Sequence, residues 1–224
     1  MQGLYLVTPN WDDTGRLLAV TEQALLAGAD AGKGGGNCIA LLQYRHKHAD
    51  PALRLTQATA LLALCRRYGV PFIVNDFVAL AQDIGADGVH LGGTDAGVAA
   101  VRAQLGPDKI VGASCYGDLA LAQAAQRDGA SYAAFGGFYP STVKKYDFVT
   151  APAMLDAARA ALQLPLVVIG GMTPQNAAPL VARGAHLVAA ITSVYGAENP
   201  APAVHAFAAL FSGGGCQPFS IGNA

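Results

Sequence analysis

The sequence carries three alternating polar residues, Gln43, Arg45 and Lys47, at the end of a short apolar segment. Alternate residues of a β-strand point to the same face, so these side chains would converge on one side of a sheet. Arginine offers a planar fork of donors and lysine a point charge, a combination that suits phosphate or pyrophosphate. The alternative is a solvated strand end. His46 and His48 are weak evidence for a metal without further ligands, and we assign them to surface or supporting positions.

Carboxylates follow two other apolar segments. Asn75 and Asp76 end the third segment, and Asp95 follows the fourth. A carboxylate directly after a buried strand is costly unless it has a partner or a function. If the two segments are neighbouring strands, both aspartates would face the basic residues, and this arrangement favours Mg²⁺ bridging to phosphate oxygens. Either aspartate could instead cap the N-terminus of a helix.

The fifth and sixth apolar segments also lead into polar residues. Ser114 ends the fifth, where its hydroxyl could donate to a phosphate or simply cap the strand. The sixth leads into a long polar loop that contains Thr142 and Lys144. Loops of this kind often close over a substrate and exclude water, and Lys144 would add a third cation.

A second anion site is indicated by the last two segments. Gly171 ends the seventh, and Thr192 and Ser193 end the eighth. In eight-unit barrels the loops at these positions commonly bind a phosphate monoester through backbone N–H groups and a helix N-terminus. Two phosphorylated substrates in one site indicate a transferase with pyrophosphate as the leaving group. No Ser/His/Asp or Cys/His set competes with this interpretation.

Eight short apolar segments must position these residues, and each is followed by helix-compatible sequence. They are Leu4–Thr8, Ile39–Arg45, Phe72–Asp76, Gly88–Gly92, Ile110–Ser114, Tyr132–Gly137, Leu166–Gly171 and Leu187–Ser193. Eight such units predict an α/β fold, the (β/α)8 TIM barrel, which builds its active site at the strand C-termini. A doubly wound open sheet is the structural rival, but no G-x-G-x-x-G follows the first strand.

Helix signals agree with this assignment. An N-cap residue followed by proline precedes three predicted helices: Asp50-Pro51 before Ala52–Tyr68, Thr173-Pro174 before Gln175–Arg183, and Asn199-Pro200 before a last helix that ends near Phe211. Proline suits the first helical position because its missing N–H would be unsatisfied there anyway.

The chain of 224 residues is expected to form one domain. No Pro/Ser-rich linker or long charge run divides it, so we assign residues 1–212 to the barrel. Residues 31–38 form a Gly-rich insertion between the first helix and the second strand, which we expect to be a flexible surface loop far from the mouth. Residues 213–224 are expected to be a disordered tail.

The composition limits the classes of binding partner and the cellular compartment that we expect for the protein. The net charge is −1 with no basic tract, which argues against nucleic acid, and no apolar run reaches the roughly 20 residues of a membrane span. The first strand begins almost at once, so we expect no signal peptide. The four cysteines are scattered, which predicts reduced thiols in the cytoplasm. We therefore expect small-molecule substrates, and a homo-oligomer stays open.

Taken together, the motifs resemble the thiamine-phosphate synthase family. The matches occur in order: Gln43–Lys47 resembles Q-[LY]-R-x-K, Asn75-Asp76 resembles N-D, Val89–Gly92 with Asp95 resembles V-H-L-G-x-x-D, Gly112–Ser114 resembles G-x-S, Pro140–Lys144 resembles P-[ST]-x-T-K, and Ile169–Gly171 resembles I-G-G. Each motif is short, but their combination is specific and spans about Leu4 to Phe211.

The resemblance implies that a pyrimidine pyrophosphate and a thiazole phosphate are joined to give thiamine phosphate and pyrophosphate, by a Mg²⁺-assisted dissociative reaction. It also implies roles for the matching positions. Arg45, Lys47, Asn75, Ser114 and Lys144 would hold pyrophosphate, with Arg45, Lys47, Ser114 and Lys144 counted as catalytic; Asp76 and Asp95 would hold Mg²⁺; Gln43 would contact the pyrimidine; and Thr142, Gly171, Thr192 and Ser193 would lie by the thiazole or its phosphate.

Two alternatives stay open beside this expectation. A related thiazole tautomerase resembles G-x-S-x-H after the fifth strand, but Tyr116 stands at the histidine position here. A non-catalytic barrel that binds phosphorylated ligands is supported only by Val143, which stands where the family usually has threonine.

Overall fold

The computed structural model of the chain describes residues 1–32, 36–92, 97–141, 148–211 and 216. Within them, eight parallel strands close into a barrel in chain order. The strands are β1 (Gly3–Val7), β2 (Ile39–Tyr44), β3 (Phe72–Asn75), β4 (Gly88–Leu91), β5 (Ile110–Tyr116), β6 (Tyr132–Phe135), β7 (Leu166–Val168) and β8 (Leu187–Ala190). The predicted TIM barrel is confirmed, and the open-sheet alternative is wrong.

Helices alternate with the strands around the outside of the barrel. They are α1 (Thr14–Ala31), α2 (Pro51–Arg67), α3 (Val78–Ile84), α4 (Val98–Leu105), α5 (Leu119–Arg127), α6 (Ala153–Ala161), α7 (Pro174–Ala182), α8 (Thr192–Tyr195) and α9 (Ala201–Ala209). Among the described residues, none of these helices has the length and apolar character needed to cross a membrane.

Two of the predicted helix starts are capped as the sequence indicates. The Asp50 side chain accepts a hydrogen bond from the backbone N–H of Leu53, and Pro51 occupies the first turn of α2. Thr173 and Asn176 form a reciprocal capping box at the start of α7. Each cap satisfies a backbone donor that the helix leaves unpaired, which stabilises it by about 1 kcal/mol. The caps therefore fix where the loops after β2 and β7 end.

Strand side chains alternate between the barrel interior and the helices. Leu4 and Leu6 of β1 pack in the core between strands and helices, whereas Tyr5 and Val7 pack in a separate cluster inside the barrel. Gln43 pairs in register with Val7 and with Ile73, so its side chain also faces the interior. Coverage on both faces explains why the strand residues are almost all apolar.

The described part of the insertion lies at the amino-terminal end of the strands, as predicted. The side chain of Asn37 donates to the Leu25 carbonyl and accepts from the Ile39 backbone N–H, both at 2.9 Å. The N–H of Cys38 donates to the carbonyl of Gly28. These bonds anchor this end of the insertion to α1 and β2, so residues 36–38 are held rather than free. Residues 33–35 lie outside the described residues.

The prediction of four reduced thiols is wrong for two of the cysteines. Cys38 and Cys216 form a disulfide, with their Cα atoms 5.0 Å apart. Their separation of 178 residues gave no local signal for this pairing. Cys65 and Cys115 are free and buried, and burial raises the pKa of the Cys115 thiol to about 12. The cytoplasmic location stays a prediction. Apart from Cys216, the predicted tail lies outside the described residues.

Candidate active site

A pocket of about 370 Å³ opens at the carboxyl ends of the strands. The structure brings together every sequence-predicted site residue that it describes. These are Gln43, Arg45, Lys47, Asn75, Asp76, Ser114, Gly171, Thr192 and Ser193. Asp95, Thr142 and Lys144 lie outside the described residues, as does Val143. The clustering of residues from β2, β3, β5, β7 and β8 follows from the barrel, because it gathers all strand C-termini at one face.

Residues that follow β1 hold the basic residues at the end of β2 in place. The N–H of Thr8 donates to the Gln43 carbonyl at 2.9 Å, and the Thr8 hydroxyl accepts from the Arg45 N–H at 2.8 Å. The Lys47 N–H donates to the side chain of Asn10. These bonds continue the strand alternation beyond the last residue of β2, so that Gln43, Arg45 and Lys47 all face the pocket.

His46, between the two basic residues, points away from the pocket and is only 3% exposed. Its Nδ1 accepts from the backbone N–H of Ala49 at 3.1 Å, so a neutral imidazole carries its proton on Nε2 and donates to Asp12 at 2.9 Å. His46 therefore supports the loop between β2 and α2. Of the two positions predicted for it, supporting or surface, the structure shows the supporting one.

An unusual backbone conformation aims Asp76 at the pocket. Its φ is +63°, in the left-handed region, which aspartate tolerates better than most residues. Its N–H still donates to the His90 carbonyl at 2.9 Å, which keeps the pairing between β3 and β4. The carboxylate accepts from the Asn75 side chain and lies 3.5 Å from Lys47 Nζ. No side chain caps α3, so the helix-cap alternative for Asp76 is wrong.

The Asp76 carboxylate suits a magnesium ion shared with a phosphorylated ligand. Mg²⁺ is commonly bound by one or two carboxylates together with substrate phosphate oxygens and waters. The described residues contain no cluster of three or more His, Cys, Asp or Glu side chains that could hold a metal by themselves. An ion here would therefore need oxygens from its ligand, beside Asp76 and the predicted partner Asp95.

The part of the pocket that follows β7 requires backbone without side chains. Gly170 and Gly171 have φ of +112° and +58°. A Cβ on Gly171 would collide with the Pro140 carbonyl oxygen, so only glycine fits this turn. After the next strand, β8, helix α8 begins at Thr192. The Ser193 hydroxyl is buried without a hydrogen-bond partner among the described residues. The Ser193 hydroxyl is thus a polar group that an oxyanion could contact.

Sequence reasoning missed a hydrogen-bonded row of side chains across the barrel interior. Gln43 Nε2 donates to Tyr5 Oη at 2.6 Å, and Tyr5 Oη lies 2.7 Å from Tyr132 Oη. Tyr132 Oη lies 2.9 Å from His90 Nδ1, and His90 Nε2 lies 2.9 Å from Ser114 Oγ. We call these five residues the barrel network. Its sequence signal is polar residues at inward positions of apolar strands.

The closed parallel barrel and this pocket define the class of the protein. It is a TIM barrel whose candidate active site lies at the carboxyl end of the strands and is lined by charged and hydrogen-bonding groups and by a glycine turn. The chain belongs to the thiamine monophosphate synthase family, whose profile matches residues 4–194.

Individual relatives agree with this assignment. A thiamine-phosphate synthase of Janthinobacterium sp. (strain Marseille) is 60% identical over 212 residues, which cover 95% of this chain and 98% of the relative. One from Xanthomonas campestris pv. campestris is 49% identical over 211 residues, covering 94% and 96%. The solved thiamine phosphate pyrophosphorylase of Pyrococcus furiosus superposes with a TM-score of 0.78 at 28% identity, covering 95% of this chain and 96% of that one. The protein is therefore an enzyme of thiamine biosynthesis, a transferase of the EC 2.5.1 type.

Proposed function

We propose that the enzyme joins 4-amino-2-methyl-5-hydroxymethylpyrimidine pyrophosphate to 4-methyl-5-(2-phosphoethyl)thiazole, giving thiamine phosphate and pyrophosphate. The observation that carries this proposal is that one pocket is lined both by cationic and hydroxyl donors and by a glycine turn. Arg45 and Lys47 follow β2, Ser114 lies on β5, and the turn at Gly171 follows β7. The predicted roles of these residues are part of the proposal.

The cationic and hydrogen-bond-donating groups of the pocket would bind the leaving group. Arg45, Lys47, Asn75 and Ser114 offer donors to pyrophosphate, and Lys144 is expected to add another. Donors fixed before the reaction stabilise charge that develops on a leaving group without reorganising. Mg²⁺ held by Asp76 and Asp95 would neutralise further negative charge on the pyrophosphate oxygens.

The apolar wall of the pocket suits the flat pyrimidine ring. The wall includes Val7, Ala134, Val167 and Ala189 from four strands. Gln43 lies beside this wall and would contact a polar edge of the ring. An apolar wall of this kind would hold the ring in place and so orient the methylene carbon between the two anion sites.

The reaction is dissociative. The C–O bond to pyrophosphate breaks, its electron pair leaves with the pyrophosphate, and the aminopyrimidine stabilises the positive methylene carbon. The lone pair of the thiazole nitrogen then forms the new C–N bond. No proton is transferred in this step, so no general base is needed. Gly171, Thr192 and Ser193 would hold the thiazole phosphate so that its nitrogen faces the carbon.

The tautomerase alternative lacks its acid–base group. Tyr116, at the position where that group has histidine, does not line the pocket. Its φ is +52°, and its ring packs edge-on against Phe148 at 6.4 Å. The side chain is directed away from the site in which a proton would be moved.

Pyrophosphate release tests the proposal. Purified protein is incubated with Mg²⁺ and both phosphorylated precursors, and the products are identified by chromatography. We expect equal amounts of pyrophosphate and thiamine phosphate, and neither with a single substrate or with EDTA. Binding of both precursors without release would refute the proposal and favour the non-catalytic barrel.

A further inference from the structure

The capping box at the start of α7 uses only one end of the Asn176 side chain. Asn176 Oδ1 accepts from the backbone N–H of Thr173 at 2.8 Å, which completes the box. Asn176 Nδ2 donates instead to the carbonyl of Gly171 at 2.9 Å. A flipped amide would set its oxygen against the Gly171 carbonyl and its NH₂ against the Thr173 N–H, so these two neighbours fix the orientation of the amide.

Both carbonyls of the glycine turn, those of Gly170 and Gly171, accept hydrogen bonds from groups outside the pocket. The N–H of Tyr139, in the segment after β6, donates to the Gly170 carbonyl at 3.2 Å. The Tyr139 hydroxyl also donates to the backbone carbonyl of Asn176 at 3.0 Å. Neither Tyr139 nor Asn176 lines the pocket, whereas both glycines do. The two carbonyls are therefore held by groups that lie behind the turn.

A carbonyl that is held in place also directs the N–H of the same peptide. The peptides that join Gly170, Gly171 and Met172 are trans, so each N–H points opposite to the C=O of its unit. The N–H groups of Gly171 and Met172 are thus directed away from Tyr139 and Asn176. Neither N–H donates to another described residue, and both residues line the pocket. Successive N–H groups in a left-handed turn can form a concave site for an anion.

We propose that Asn176 is a positioning residue for the thiazole phosphate: by holding the Gly171 carbonyl behind the turn, it aims the Met172 N–H at the phosphate. The inference rests on the proposed function, which places the thiazole phosphate at Gly171. A glycine by itself does not fix the plane of the next peptide, because it can take many conformations. The Asn176 amide supplies this constraint, so the phosphate meets a donor that is oriented before binding.

The two ends of the Asn176 side chain have separable tasks. Oδ1 caps the helix, whereas Nδ2 acts on the turn. Asn176→Asp separates them, because a carboxylate oxygen still accepts from the Thr173 N–H and the helix dipole favours a negative charge in the first turn. The other oxygen would face the Gly171 carbonyl with no proton to donate. The variant should therefore fold like wild type but no longer hold the turn.

Steady-state kinetics of Asn176→Asp test the role of the amide. We expect the KM for the thiazole phosphate to rise about tenfold, with kcat and the KM for the pyrimidine pyrophosphate unchanged. Asn199→Asp is the matched control, because Asn199 accepts from the Ala201 N–H at 3.0 Å at the start of α9 and does not line the pocket. The control should behave like wild type. Equal KM values in the two variants would overturn the inference.

The carboxylate introduced by Asn176→Asp also repels a phosphate, and salt separates this effect from the loss of positioning. Repulsion between charges that are separated by solvent is screened at high ionic strength, whereas a misdirected N–H stays misdirected. The ratio of the variant KM to the wild-type KM should therefore persist at high salt. A ratio that falls to the value of the Asn199→Asp control would assign the effect to charge and overturn the inference.

Labelling with ¹⁵N-methionine tests the contact in the wild-type protein. The sequence has three methionines, so the spectrum is simple, and a Met172→Leu variant identifies the Met172 amide. Met154, whose N–H donates to the Ala151 carbonyl, is an internal reference outside the pocket. Thiazole phosphate should shift the Met172 amide proton downfield, whereas the thiazole alcohol without phosphate should not. The shift should be lost in Asn176→Asp.

The outcomes separate this inference from the proposed function. Wild-type enzyme that turns over while its Met172 signal is unmoved by thiazole phosphate would overturn only the role of Asn176. Retention of the shift in Asn176→Asp would do the same. If that variant does not fold, the Met172 signal of the wild-type complex decides. Wild-type protein that neither binds the thiazole phosphate nor turns over would overturn both proposals.

Discussion

Replacing Cys216 by serine would remove the covalent link between the end of the chain and the base of the barrel. The disulfide to Cys38 closes a loop of 178 residues. Closing a loop of this length lowers the entropy of the unfolded chain by an amount worth about 5 kcal/mol. We therefore expect Cys216→Ser to lower the free energy of unfolding by up to about 5 kcal/mol.

The catalytic parameters should not change. Cys38 lies directly before β2, at the amino-terminal end of the barrel, whereas the pocket lies at the carboxyl ends of the strands. The loss should appear in denaturant unfolding followed by circular dichroism, with kcat and KM measured on the same preparations. A large loss of turnover would show that the base of the barrel and the pocket are coupled.

A double-mutant cycle makes the test sharp. Cys38→Ser should destabilise by a similar amount, and the double variant should lose little more, because either substitution alone already opens the loop. Reduced wild-type protein should behave like the variants. Under denaturing conditions without reductant, wild type should show two reactive thiols, Cys65 and Cys115. Four thiols and an unchanged stability of Cys216→Ser would refute the reasoning.

Three substitutions in the pocket have equally definite expectations. Asp76→Asn keeps the shape of the side chain and tolerates the left-handed backbone, so the variant should fold normally. We expect it to lower the Mg²⁺-dependent kcat/KM about hundredfold. A Mg²⁺ titration that matches wild type would contradict the metal role. Arg45→Lys keeps the charge but loses the planar fork, so we expect about a tenfold lower kcat/KM; an unchanged value would mean that only charge matters. Gly171→Ala should raise KM for the thiazole phosphate, because its Cβ would meet the Pro140 carbonyl. Gly69→Ala is its control, since Gly69 has a similar φ of +64° in open space, and equal kinetics in both would refute a role for the turn.

The sequence allowed the positions of site residues to be predicted where strand periodicity decides them. Arg45 and Lys47 face the pocket because alternation continues past the end of β2. The same rule placed Ser114 at the end of β5, although the strand itself extends two residues further. Helix starts were also predictable, because the caps at Asp50 and Thr173 are local.

The features that escaped prediction depend on contacts between distant parts of the chain. Tyr5 and Tyr132 are 127 residues apart and meet only because the barrel closes. The left-handed conformation of Asp76 occurs where its N–H pairs with the His90 carbonyl on the next strand, and no local pattern signals it. A histidine between two basic residues could bind a ligand or a metal, but His46 is buried against the loop after β2. Packing decides this burial, and the local sequence does not show it.

The barrel network also has a consequence for how this enzyme can evolve. Its members lie on five strands, and the ring of Tyr132 occupies the space that a side chain on Gly112 would fill. A substitution at any one of them leaves a buried donor or acceptor unmatched, so its effect depends on which residues occupy the others. Replacing the members singly should be harmful, whereas a coordinated replacement could preserve function. The interior of the barrel would then change in steps that involve several strands, and not by gradual adjustment at the pocket rim.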